Sequence, residues 1–296
     1  MTARLSARLL PDGKRLYLQD GPINLVIQAW GAPEALRAAY RAAARRAATI
    51  LDELCEELPL LRADARGLVP SAHGQIARRM QVAVAPHAAA GLFITSMAAV
   101  AGAVAEAVLR AMTAEAALDR AFVNNGGDIA FHLAPGQRIA AGLVDRPDQP
   151  SLFARAVIQA ADPARGLATS GWRGRSFSLG IADAVTVLAG AAADADAAAT
   201  VIANTVDLPG HPAVIRVPAR ELDPDSDLGH RRVTRAVGGL DAREIAAALE
   251  GGEAAARGLV ASGLIYAAAL HLAGTTRVAG CAIQPPLLAG REREVA

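Results

Sequence analysis

Large rings and lysine are what this chain of 296 residues mostly does without: aromatics make up 3% of it, and lysine is almost absent. A core cannot then rest on stacked aromatic side chains. It must come from small residues packed closely, and the 53% hydrophobic content, much of it alanine, is enough for one of good size. The excess of arginine over lysine fits codon usage in a GC-rich genome and carries no functional message. Cysteine is equally scarce. Cys55 and Cys281 stand far apart with no CxxC or Cys/His spacing, which excludes a disulfide framework or zinc ribbon and fits a reducing cytoplasm. No two of His73, His87, His132, His211, His230 and His271 have HxH or HxxxH spacing, so a histidine metal centre has no support. The formal charge of +1 provides no field for nucleic acid or an anionic membrane. Met1 to Tyr17 has no apolar leader and no lipobox cysteine, as expected of a cytoplasmic protein. The longest apolar run, Ala88 to Ala105, is dominated by alanine and glycine and leads into Glu106 and Arg110. It reads as a buried core helix rather than a membrane span.

What is present is a series of short alternating segments and helices. Leu9 to Trp30 reads as a hairpin around Asp20-Gly-Pro22. Pro33 to Leu58 reads as a helix, with Pro33 in its first turn and Pro59 as its stop. A short helix is expected around Gln75 to Met80, an apolar one over Gly91 to Met112, and another capped by Thr113. Phe122 to Leu133 and Arg138 to Val144 read as paired strands, Ser151 to Ala160 as a third, Arg165 to Arg175 as a loop, and Ser176 to Leu188 as containing a strand. Ala191 to Thr205 reads as a helix, Ala213 to Val217 as a strand, Glu221 to Gly229 as an acidic loop, and His230-Arg231-Arg232 with Arg235 as a solvated helix face. Asp241 caps a helix that Gly251-Gly252 breaks; a second helix reaches His271, then a strand over Arg277 to Gln284 and a frayed tail from Arg291. Antiparallel strand pairs with helices between them indicate an α+β fold, antiparallel sheets packed with alanine-rich helices, in a single domain over 1–296.

Three short motifs carry chemistry. In Asn124-Asn125-Gly126-Gly127-Asp128, the glycines let backbone approach a ligand while the asparagines and Asp128 supply amides and a carboxylate; the same residues make a common hairpin turn. Thr169-Ser170-Gly171 offers two hydroxyls and small residues that let main-chain N–H groups cradle a pyrophosphate, or it is an ordinary turn. Asp196 and Thr200 stand one helical turn apart on one face, a pair of hard oxygen donors that suits Mg²⁺. The other reading of Asp196 is an acid placed near a helix start by the helix dipole.

Taken in order, these motifs resemble those of the ApbE flavin-transferase superfamily. Its Asn-x-Gly-Gly-Asp element is matched by Asn124, Gly126, Gly127 and Asp128, its Ala-Thr-Ser-Gly loop by Ala168 to Gly171, and its Ala-Asp-Ala-x-Ala-Thr helix start by Ala195 to Thr200. The resemblance covers roughly Phe122 to Asn204. It implies FAD and Mg²⁺ as cofactors, with Asp196, Thr200 and a backbone carbonyl near Ala168 on the metal, and Asp128 and the glycines lining the flavin-nucleotide site. The family's His-x-x-Asp-Pro-x-x-Gly segment is missing. Its place is taken by Ser176-Phe-Ser-Leu-Gly-Ile-Ala-Asp183, which has no histidine, and the opening Met-Gly-Thr strand is missing too. The chain therefore resembles a cytoplasmic branch without the transferase histidine. His73, His87 and Asp183 are the candidates for a proton-handling role.

Three functions follow as expectations. The first is a flavin-nucleotide (FAD) binding protein with a Mg²⁺ site, able to act on the FAD pyrophosphate. The second is an FAD:protein FMN transferase with a relocated base, and the third a non-catalytic module for another phosphorylated metabolite. A small-molecule flavin nucleotide is the expected partner, without nucleic acid or membrane. The Ala/Gly-rich helices leave a homo-oligomer open.

Overall fold

The computed structural model describes residues 4–145, 152–281 and 283–284. In chain order it forms β1 (Ser6–Leu9), β2 (Leu16–Asp20), β3 (Ile23–Trp30), α1 (Pro33–Glu56), α2 (Leu58–Leu61), α3 (Gln75–Ala89), a 3-10 turn (Ser96–Ala99) and α4 (Val100–Glu115). Then come β4 (Arg120–Asn125), β5 (Asp128–Leu133), β6 (Arg138–Val144), β7 (Leu152–Gln159), β8 (Gly166–Ser170), β9 (Ala184–Ala189) and α5 (Ala192–Thr205). The chain continues through β10 (Val214–Pro218), α6 (Ala219–Leu222), β11 (Arg232–Val237), α7 (Ala242–Ala261), β12 (Ala267–Leu272), β13 (Thr275–Gly280) and β14 (Ile283–Gln284).

Nine strands make one sheet in the order β1-β2-β3-β4-β5-β8-β9-β12-β13, and every pairing in it is antiparallel. Alternation sets which side chains go inside: Ile23, Leu25, Ile27 and Ala29 of β3 are buried while the residues between them are half-buried. That face packs against α1, α4 and α5 through Ala39, Ala43, Ile50, Val104, Val108, Met112 and Ala197, and α3 lies against those helices with Met80 buried. Farther along, Val185 and Val187 of β9 and Ala268 and Leu270 of β12 meet Ile202 of α5 and Leu249 of α7. The opposite face of β5, β8, β9 and β12 is covered by the small sheet β14-β7-β6, through Phe131, Leu143, Phe153, Ile158 and Leu188. The fold is α+β, and alanine permits its close helix packing. At Gly102 of α4 an added Cβ would lie 2.3 Å from the Ala192 carbonyl oxygen, so α4 and α5 nearly touch backbone to backbone.

Several local expectations change in three dimensions. Phe122 to Leu133 is not one strand: it folds at Gly126-Gly127 into β4 and β5, and Arg138–Val144 pairs with β7 instead. The expected loop over Arg165 to Arg175 contains β8, a strand inside the large sheet, because Gly166 lets it pass under α5 with Ala191 backbone 2.2 Å from where a Cβ would be. The helix expected at Gln75 to Met80 runs on to Ala89, past Pro86. Pro59 opens α2 as well as following α1. The apolar helix starts at Val100 and runs through Thr113, whose hydroxyl bonds back to the carbonyl of Leu109 instead of capping a new helix. The stretch Ser96–Glu115 is long and apolar enough to cross a membrane by length and composition; here Val104, Ala105, Val108 and Met112 are buried against neighbouring elements. The basic run near Arg232 lies on β11, not on a helix. α7 continues across Gly251-Gly252, and His271 sits in strand β12. The tail from Arg291 lies outside the described residues.

Candidate functional site

The β4–β5 hairpin closes with Asn125 opposite Asp128. Gly126 and Gly127 take φ of +70° and +120°, conformations that side-chain-bearing residues rarely adopt. The Gly127 N–H donates to Asn124 Oδ1 at 2.8 Å, which ties the turn to its own strand. Asn125 donates from Nδ2 to the carbonyl of Ala101 at the start of α4. Asp128 then faces β8, and its Oδ1 accepts from the Thr169 N–H at 3.1 Å. β8 ends at Thr169-Ser170, and the chain turns at Gly171, where an added Cβ would be 2.4 Å from the carbonyl oxygen of Asp183. The Thr169 hydroxyl is spent on Thr186 at 2.8 Å.

α5 brings in Asp196 and Thr200, one turn apart. The acid of its first turn is Asp194; Asp196 lies in the second, and its Oδ2 accepts from the Gly102 N–H at 3.0 Å. Asp196 is close enough to Asp128 for the Asp128 charge to raise its cost of ionisation. Burial pushes the Asp128 carboxyl up to about 7, against the Thr169 hydrogen bond. Burial first, and the Asp128 charge second, push Asp196 well above the usual carboxylate range, against N–H donors from Gly102 and Ala101.

These groups line a cavity of about 1050 Å³, large enough for a dinucleotide-sized ligand. Asn124, Asn125, Gly126, Gly127, Asp128, Thr169, Ser170, Gly171, Asp183, Asp196 and Thr200 all contribute to it. Ala168 is buried in β8 opposite Val187, between two residues that do line it. No histidine is in the lining. His73 is exposed and its N–H donates to Glu57. His87 is buried in α3, where desolvation lowers its pKa against the pull of Asp194. Asp183 accepts from Arg173 Nε at 2.6 Å, Trp172 Nε1 at 3.1 Å and the Ala273 N–H at 2.7 Å, so its oxygens are already engaged.

The cavity also uses residues that the sequence did not point to. Leu54, Leu58 and Leu61 near the α1–α2 junction, with Phe93, Met97 and Val104, supply apolar wall. Arg62 and Arg175 line it without an ion-pair partner among the described residues. The acidic loop, legible as a loop, supplies Asp223, Asp225 and Asp227 to the wall, and Asp227 accepts a hydrogen bond from Thr95. Its charge was visible in the sequence; its nearness to Thr95, far away in the chain, was not.

A divalent cation fits this donor set. Among the described residues neither Asp128 nor Asp196 has an ion-pair partner, and the hydroxyls of Ser170 and Thr200 make no hydrogen bond to a described residue. All are hard oxygen donors. Among the described residues no three of His, Cys, Asp and Glu gather in a metal-holding cluster, so hydroxyl, backbone or ligand oxygens must complete any coordination.

The model of the family described as AbpE bacteria matches residues 7–278. A UPF0280 protein of Methanopyrus kandleri is 41% identical over 108 residues, covering 36% of this chain and 42% of that protein. A UPF0280 protein of Methanothrix thermoacetophila is 36% identical over 134 residues, covering 40% of this chain and 49% of that protein. The chain thus spans less than half the length of these curated relatives. The flavin transferase ApbE from Vibrio cholerae aligns over 93% of this chain and 96% of its own, at 14% identity and a TM-score of 0.34. A histidine-to-glycine variant of it aligns over 94% and 97%, at 13% identity and a TM-score of 0.35.

Proposed function

The chain belongs to the AbpE bacteria family, and from that premise we propose that its cavity binds a flavin nucleotide, FAD, together with Mg²⁺. One observation carries the reading: three motifs far apart in sequence converge on one cavity, whose two adjacent carboxylates are both destabilised as anions. Asp196 and Thr200 would hold the cation, with Asp128 beside them and a backbone oxygen near Ala168 to help. Bound there, Mg²⁺ would neutralise the carboxylates and polarise a pyrophosphate. Arg62 and Arg175, without an ion-pair partner among the described residues, offer positive charge to the ligand's phosphates. The apolar wall of Leu54, Leu61, Phe93 and Met97 suits a ring system.

Binding is favoured over protein flavinylation. No histidine lines the cavity, and Asp183 is held by Arg173, Trp172 and Ala273, so no free proton-accepting imidazole stands ready to activate an acceptor hydroxyl. The reading takes the chain as one cytoplasmic domain.

The test is a titration of the purified chain with FAD, with and without Mg²⁺, followed by chromatography of the nucleotides. Saturable, Mg²⁺-dependent binding supports the reading. Appearance of FMN and AMP in equal amounts adds hydrolysis, in which water supplies the oxygen for the broken phosphoanhydride bond. Absence of binding at saturating FAD sinks it and turns the search to other phosphorylated metabolites.

A further inference from the structure

Neither α4 nor α5 caps its own N-terminus. Their N-cap residues are Ala99 and Ala191, which have no side-chain acceptor, so the first amides of each helix need partners from elsewhere. Each helix obtains one from the other. Asp196, on α5, accepts from the Gly102 N–H of α4 at 3.0 Å. Glu106, one turn past Gly102 on α4, accepts from the Ala193 N–H of α5 at 2.7 Å. The close crossing at Gly102 brings the two ends within reach. Arg79 of α3 locks the exchange: it donates from Nε to Glu106 Oε2 at 2.9 Å and from Nη2 to Glu106 Oε1 at 3.1 Å, and Nη2 also pairs with Asp194 at 2.8 Å.

Glu106 and Arg79 do not line the cavity. Yet they hold the first turn of α5 at Ala193 and Asp194, and Asp196 follows Ala193 by three residues. We infer that Glu106, fixed by Arg79, is a positioning residue for the Asp196 carboxylate. The two acids have divided roles: Asp196 faces both the cavity and α4, while Glu106 sets where α5 begins. Groups that orient a metal ligand in this way characteristically matter to affinity without touching the ion. The ligand-affinity part of this inference rests on the reading of the cavity given above.

The exchange has a direct reporter. The Gly102 amide lies in the first turn of α4, where no intrahelical acceptor exists, and its partner is Asp196. Hydrogen exchange of the full chain, measured without ligand, therefore follows the Asp196 contact. For Glu106→Ala the expected result is faster exchange at both Ala193 and Gly102, with the amides of α7 unchanged as the reference for global opening. Mg²⁺-dependent FAD affinity should fall by about tenfold or more. Faster exchange at Ala193 alone, with Gly102 as in wild type, overturns the inference and leaves Glu106 as a simple cap. If Glu106→Ala also loosens α7, then Glu106→Gln, which keeps an acceptor for Ala193 but loses the charge that holds Arg79, is judged by the same two amides. Failure of wild type to bind FAD sinks the flavin reading, and the Gly102 amide still decides the positioning role.

Discussion

Gly126-Gly127 and Gly251-Gly252 are the same dipeptide, and they are needed for opposite reasons. The first pair makes a turn at the cavity. Its φ angles are positive, and Gly127 has no atom within 4 Å of an added Cβ. Backbone conformation, not space, excludes a side chain there. The second pair lies inside α7 with ordinary helical geometry. An added Cβ at Gly252 would lie 2.3 Å from Val206 Cγ2 and 2.7 Å from Leu270 Cδ2. Space, not conformation, excludes a side chain there. A breaker read from propensity alone costs a helix only about 1 kcal/mol per glycine. The face that α7 buries on α5 and β12 outweighs that, so the helix runs on.

The comparison breaks most sharply at Gly252. Gly252→Val should destabilise the protein by about 3 kcal/mol through overpacking, measured by chemical denaturation, with flavin affinity of the folded protein unchanged. Truncating Val206 to alanine should recover part of that loss. A Gly252→Val protein as stable as wild type would mean that α7 is not seated as described.

The cavity should show the reverse balance. Asp196→Asn is expected to weaken Mg²⁺-dependent FAD binding by roughly a hundredfold while leaving the apo melting temperature at pH 8 the same or higher. An equal fall in both would reduce Asp196 to a helix cap.

The pH dependence follows from the same pair. The folded pKa values of Asp128, about 7, and Asp196, also raised, lie above the unfolded value of roughly 3.9. Between these limits the folded state holds more protons than the unfolded state, so their contribution to stability falls as pH rises toward and through about 7. The apo protein should therefore lose stability between pH 5 and pH 8 relative to Asp128→Asn, compared by thermal melts. The opposite sign would mean that Asp128 ionises freely in the folded state.

The smallest effects belong to the first glycine pair. Gly127→Ala should cost about 1–2 kcal/mol from the dihedral alone, with no relief from truncating neighbours. Gly126→Asn should cost less, because asparagine tolerates the left-handed region. Denaturation of both variants checks the order; a larger loss for Gly126→Asn would place the constraint in packing around Arg175 instead.

Legibility followed the range of the interaction. The β2–β3 hairpin, α1 and α5 were readable because alternation, helical spacing, Pro33 and alanine content are local signals. The three motifs were also readable, since each is a contiguous run. β8 was taken for a loop because Gly166 and Gly171 look like turn residues until the neighbouring α5 and Asp183 backbones explain them. β12 was taken for helix because Ala267-Ala-Ala-Leu270 has high helix propensity, while pairing with β9 and β13 on both sides makes it a strand.

By itself the sequence determined the class of the fold, the alanine-built core and the residue types available for a cation and phosphates, because those depend on composition and short spacing. Only the tertiary structure decided that Asp128, Ser170, Asp196 and Thr200 share one cavity, that Arg62 and the acidic loop join them, and that the histidines do not. It also decided the exchanged caps of α4 and α5, because an N–H without a partner in its own helix is satisfied by whatever acceptor packing brings near, and that neighbour lies some ninety residues away in the chain.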